Sequence, residues 1–187
     1  LFPLYKRSTF LIGFSIFLFC CESNEHIRKY RLPKNTMEGK NKSQKIHIEF
    51  QIGWIKPQSW KEVKGHTMRY ASFNAPYVDG NADISITTFE GNSGGIVPNV
   101  NRWLGQIGIE PYSSDKILNI EEKMKSKLGE YSYFKLINEK NNETAILAAI
   151  FELKNRTIFI KLSSTIKGLR SIETEFIGFC SSIFIKG

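Results

Sequence analysis

The stretch Ala145–Phe151 (AILAAIF) is apolar throughout. A strand with one wet face alternates apolar and polar residues. An unbroken apolar run of strand length belongs to a strand covered on both faces. Turn-compatible pairs bracket this one, Asn141–Asn142 before it and Lys154–Asn155 after it. The chain therefore has to place a sheet between two other layers. One candidate layer is the C-terminal segment, where Ile166, Leu169, Ile172, Phe176, Phe179, Cys180 and Ile183 recur every three or four residues. Arg170, Glu173 and Glu175 fall outside that stripe, so the segment reads as a long amphipathic helix. Cys180, on its apolar face, reads as a buried, inert thiol.

The rest of the pattern supplies the sheet. Ile46, Ile48, Phe50 and Ile52 alternate with His47, Glu49 and Gln51, the signature of a half-buried strand. Gly53–Trp54 and Pro57–Gln58–Ser59–Trp60 form a turn carrying two aromatic plugs. Met68–Ala75 alternates again and stops at Pro76, and Asp79–Gly80 is a hairpin dipeptide. Ala82–Phe89, rich in β-branched residues, reads as a strand partnered with the first, which makes Ile46–Phe89 an antiparallel meander. Gly91–Pro98 is a loop. Asn99–Ile107 then has helical spacing, with Asn99 as its cap, Gly108 as its stop and Pro111 beyond. Ser114–Lys127 reads as a short surface helix, and Tyr131–Ile137, Glu143–Leu153 and Arg156–Leu162 as three further strands. Two antiparallel blocks, each followed by a helix, give an α+β fold: one domain over 46–187 with an antiparallel sheet sandwiched by helices.

The N-terminal residues have a different composition. Lys6 and Arg7 precede Phe10–Phe19 (FLIGFSIFLF), an uncharged apolar run too short for a membrane span of ~20 residues. Cys20–Cys21 follow at once. A hydrophobic run ending in Cys resembles a bacterial lipoprotein signal, with Cys21 fitting the modified position better than Cys20 because Leu18 stands three residues before it. Residues 1–21 are therefore expected to be an export leader and 22–45 a basic polar tether between lipid and domain. The formal net charge of +8 comes from 26 Lys and Arg against 18 Asp and Glu. A basic balance suits nucleic acid, but an exported chain with no aromatic-interleaved basic stripe is not expected to bind it. Three cysteines are too few for a disulfide scaffold. With three scattered histidines they offer no metal-ligand set, and no cofactor is expected.

Several strings resemble uncharacterised bacterial envelope proteins with a PsbP-type α/β/α sandwich. They are Met68–Phe73 (MRYASF), Ala82–Ile86 (ADISI), Gly94–Gly95 and Asn99–Gly108 (NVNRWLGQIG), with Arg156–Leu162 (RTIFIKL) and the terminal helix as a weaker match. The resemblance spans about Trp54–Ile185. It implies that fold and a non-enzymatic binding or assembly role; together with the leader it leads to the expectation of a lipid-anchored position facing the periplasm or exterior and of an envelope protein as partner. It supplies no catalytic residues.

Two groups of residues stand out as candidate sites. Asn99, Asn101, Arg102, Trp103 and Gln106 place amides, a guanidinium and an indole on one short helix. They form either a recognition face or a set in which Trp103 and Val100 enter the core while the polar members brace neighbouring loops. Gly91, Asn92, Ser93, Gly94 and Gly95 look like the nucleophile loop of chymotrypsin-type serine proteases, where a Ser needs a His base and an orienting Asp. His26 falls in the tether, His47 on the wet side of its strand and His66 in a polar turn, and a helix follows the loop where such a protease continues as a strand. The loop reads first as a glycine-assisted entry into a helix. It also reads as a place where Gly91, Ser93, Gly94 and Gly95 offer backbone N–H groups to an anion, although no Gly-Lys-Ser/Thr follows. Three functions are thus in play: an anchored binding module, a soluble periplasmic module for an anion or small ligand, and a hydrolase using Ser93.

Overall fold

The computed structural model describes residues 50–141 and 144–186. The leader, Cys20, Cys21, the tether, His26, His47 and the start of the first expected strand lie outside the described residues. The elements run β1 Ile52–Gly53, β2 Lys61–Glu62, β3 Ala71–Tyr77, β4 Gly80–Glu90, α1 Ile96–Gln106, α2 Ser114–Asn119, β5 Glu122–Ser126, β6 Gly129–Ile137, β7 Ala145–Leu153, β8 Arg156–Ser164, α3 Ile166–Ser181 and β9 Phe184–Ile185. β2 to β8 form one antiparallel sheet in the order β2-β3-β4-β8-β7-β6-β5, and β1 pairs with β9 in a separate two-stranded ladder. The α+β class with helices on both faces is the architecture observed.

Strand parity sorts the residues between two cores. On one face, Ile84 and Ile86 of β4 lie opposite Leu162 and Ile160 of β8. These pack with Leu169, Ile172, Phe176, Phe179 and Cys180 of α3. On the other face, Val100, Trp103 and Leu104 of α1, Ile107 just beyond its end and Ile117 of α2 cover Phe134, Leu136, Ile146, Ala148, Ile150 and Phe159. β7, whose Ala145–Phe151 is buried at every position, serves both cores. Full burial of one such side chain contributes roughly 1.5–3 kcal/mol, so the two clusters dominate stability.

The elements differ from the sequence reading at five places. Of the first expected strand Ile52 forms a ladder, together with Gly53 of the expected turn, and its partner is β9 rather than a strand of the meander. The expected hairpin across Asp79–Gly80 is present, with β4 paired to β3 on one side and to β8 on the other. β3 starts at Ala71 and runs through Pro76, because β2 spans only two residues opposite Phe73 and Asn74 and leaves Pro76 on a free edge. α1 begins at Ile96, since Pro98 lies in its first turn, where a missing N–H costs nothing. The second half of the expected surface helix Ser114–Lys127 is the edge strand β5, paired with β6. α3 ends at Ser181, and Ile183 is buried beyond it. Among the described residues no helix is long and apolar enough to cross a membrane.

Candidate functional site

The face under α1 and α2 is only half roofed. The helices cover β6, β7 and the near side of β8. Beyond them β3 and β4 present Ser72, Asn74, Asp83, Ser85 and Thr87, at the strand parity opposite to Ile84 and Ile86. Across the register Ser72 stands beside Ser85, Ser85 beside Lys161, and Asp83 beside Ser163. This makes a polar shelf whose far wall is α1. Arg69 folds onto the shelf and grips Asp83 with both guanidinium nitrogens, each at 2.8 Å. Lys161 donates to Gln106 Oε1 at 3.0 Å, which joins the shelf to the helix. Burial holds the Lys161 ammonium below its usual pKa; Asp83 opposes that shift, while Arg69 and Arg102 add to it.

Where the shelf meets the start of α1, Phe89, Glu90, Ser93, Asn99, Arg102 and Phe159 line a cleft of about 320 Å³. The helix is fixed beside it by Trp103, 3 % exposed, whose ring meets Phe159 edge-on at 5.8 Å. Phe89 meets the same ring at 5.9 Å. Asn99 is not the cap. It is buried in the first turn, where its amide donates to Ser93 O at 2.9 Å and Gly95 O at 2.6 Å. The cap position is Gly95, with no side-chain bond to the helix, at φ 77° and ψ 179°. That backbone region is essentially restricted to glycine. Asn99 Oδ1 in turn accepts from Arg102 at 2.8 Å. Asn101 forms a reciprocal pair with the backbone of Tyr112, 3.0 Å to its carbonyl and 2.8 Å from its N–H, bracing the loop before α2. Arg102 and Gln106 are exposed at the rim.

The loop Gly91–Gly95 spends part of its hydrogen-bonding capacity on itself and on β8. Gly91 N donates to Asn155 O at 3.0 Å, Gly91 O accepts from Thr157 Oγ1 at 2.7 Å, and Gly95 N donates to Asn92 O at 3.0 Å. Ser93 has a positive φ of 50°, and its hydroxyl is buried without a hydrogen-bond partner. His66 is exposed in the connection between β2 and β3, where its carbonyl accepts from Arg69 N at 2.9 Å.

The shelf residues Arg69, Asp83 and Lys161 were not singled out by sequence reasoning. The available signal was the polar parity of Asp83, Ser85 and Thr87 in β4, repeated by Lys161 and Ser163 in β8. A second polar cluster also escaped notice: Glu121 accepts from Ser132, and Lys123 reaches both, Glu121 at 2.7 Å and Ser132 at 3.0 Å. Burial pushes the Glu121 carboxyl up, but the bonds from Lys123 and Ser132 and the Lys123 charge outweigh it and hold it below the usual range. These groups satisfy one another. A further depression at the start of α3, lined by Thr165, Ile166, Lys167 and Arg170, offers less chemistry. There Thr165 caps Gly168 N at 3.1 Å and Lys167 pairs with Asp79. Among the described residues no group of His, Cys, Asp and Glu is placed to hold a metal ion.

No family model and no curated protein matches this chain. Among solved structures it is similar to a protein from Bacteroides thetaiotaomicron VPI-5482, at 16 % identity and a TM-score of 0.46, over 73 % of this chain and 45 % of that one. The chain thus spans less than half of that protein's length. It is similar to the cyanobacterial PsbP protein CyanoP of Synechocystis sp. PCC 6803, at 15 % identity and a TM-score of 0.47, over 72 % and 86 % of the two chains. It is also similar to LpqN of Mycobacterium tuberculosis, a protein involved in cell envelope biogenesis, at 8 % identity and a TM-score of 0.45, over 74 % and 84 %.

Proposed function

We propose that the chain is a non-enzymatic, lipid-anchored module of the cell envelope, of the PsbP type, that works by binding. The observation that carries this reading is the half-roofed sheet. A face that α1 and α2 cover with apolar side chains continues into a polar shelf on which Asn74 is exposed and Asp83 and Thr87 are partly exposed, bordered by a cleft, and such surfaces with a few convergent polar groups hold ligands. The apolar run Phe10–Phe19 before Cys20–Cys21 supports export and anchoring, with Cys21 as the preferred acylated residue.

Site-specific photo-crosslinking tests the binding role. A crosslinker in place of Thr87 on the shelf should capture a discrete envelope component. The same group at Thr174, exposed on α3, should not. Equal capture from both positions, or none from either, refutes the reading. Labelling with a palmitate analogue tests the anchor: incorporation should disappear when Cys20 and Cys21 are both changed to Ser. Fluorophosphonate labelling abolished by Ser93→Ala would establish the hydrolase instead.

A further inference from the structure

Two cations at the rim of the shelf have no carboxylate of their own. Arg102 bonds to the amide oxygen of Asn99 at 2.8 Å, and Lys161 to that of Gln106 at 3.0 Å. Like several other described cations, Arg102 and Lys161 enter no ion pair, and these two are set apart by their place beside the cleft and the shelf. The carboxylate that acts on Lys161, Asp83, is already held at both oxygens by Arg69.

The two free cations are neighbours by construction. Gln106 lies four residues after Arg102 on α1, so the two share one helix face, and Lys161 is tied to Gln106. The packing of Trp103 on Phe159 holds α1 against β8, and Lys161 is two residues further along the same face of that strand. The Arg102 charge acts on Lys161, which is half-buried, and such like-charge repulsion destabilises the unliganded fold; an anion between them would offset that cost. Arg102 also lines the cleft, together with the rings of Phe89 and Phe159, the amide of Asn99, the buried hydroxyl of Ser93 and the carboxylate of Glu90, which lies 3.9 Å from Arg156.

We propose that Arg102 and Lys161 bind the oxyanion of a small soluble ligand, a phosphate ester or a carboxylate, whose uncharged body lies in the cleft against Phe89. This deepens the binding role above and rests on it. It moves the anion from the backbone of the Gly91–Gly95 loop to side chains of α1 and β8. An Arg fork suits a planar or tetrahedral oxyanion and the Lys adds a point charge.

Calorimetric titration of the full chain in detergent with inorganic phosphate, glycerol phosphate and glucuronate tests the assignment. At least one probe should bind below about 10 mM, and Arg102→Gln and Lys161→Met should each weaken it about ten-fold. Lys167→Gln and Arg170→Gln, which remove the same charge at the start of α3, should leave affinity unchanged. Thermal melts separate lost binding from lost fold, because Lys161→Met removes a desolvated, unpaired cation and should melt no lower than the parent chain. No binding by any probe at that concentration, or binding that survives both substitutions, overturns the proposal. A ten-fold preference for dihexanoyl phosphatidylglycerol over glycerol phosphate overturns the soluble ligand in favour of a lipid headgroup. Absence of anion binding leaves the Thr87 crosslink intact, so the two readings fail separately.

Discussion

Trp103 and Arg102 are adjacent residues of α1 with opposite tasks. Truncating Trp103 to Ala should cost ~3–5 kcal/mol in denaturant unfolding, the range for a buried aromatic, because its ring closes on Phe159. Arg102→Gln should cost less than ~1 kcal/mol, since its partner is a single amide oxygen at the rim. Lys161 gives a pH signature. Its folded-state pKa is lowered, so its charge penalises the fold at neutral pH and that penalty fades as pH rises from the folded value towards the unfolded ~10.4. Buried Tyr131, pushed up to about 12, and Tyr133, raised further, act the other way: unfolding lets them ionise above pH ~10, so they remove stability there. The difference between parent and Lys161→Met isolates the lysine. The variant should be the more stable at pH 7, with its advantage shrinking by pH 10 in urea melts; an advantage that grows with pH would contradict this sign. The burial side of Trp103 and Val100 was legible from helical spacing. Lys161 was not, because its neighbours Gln106 and Asp83 come from α1 and β4, and only the strand register brings them together.

Elements were legible where one periodicity ruled and illegible where two cues conflicted. α3 shows a clean stripe, and its cap follows the usual chemistry, with Thr165 accepting from Gly168 N. Thr165→Ala should lower stability by ~1 kcal/mol. Gly168→Ala should cost more than the cap, because a Cβ there would overlap the ring of Tyr77 and the Ser164 hydroxyl. At α1 the usual capping residue misled: Asn99 sits inside the first turn and Gly95 takes the entry. Gly95→Ala should therefore cost ~1–3 kcal/mol in denaturant melts, although nothing crowds the site except Asn92 Oδ1 at 3.5 Å. β5 was hidden by Glu122, Lys123 and Lys125, which suggest a solvated helix. On an edge strand those charges discourage pairing with another chain.

The sandwich as a whole could be inferred from the unbroken apolar run of β7 and two helical stripes, which together require layers on both faces. The strand order could not. The contact that unites the sheet, β4 against β8, joins segments separated by α1, α2 and three strands, and no local pattern encodes it. Because β7 and β8 lie inside the sheet and under both cores, their amides should be among the last to exchange with deuterium, and those of β2 and β5 among the first. The small β1–β9 ladder has a consequence of another kind. Ile52 faces Ile185, and Lys186 N donates to Gln51 O at 2.9 Å, so the two ends of the described domain lie side by side. The described domain thus closes on itself through backbone pairing, so its packing does not require the chain to enter it at this point rather than elsewhere. Joining Lys186 to Gln51 through a short glycine linker and opening the chain at Lys154–Asn155 should yield a permuted protein that folds to the same sandwich.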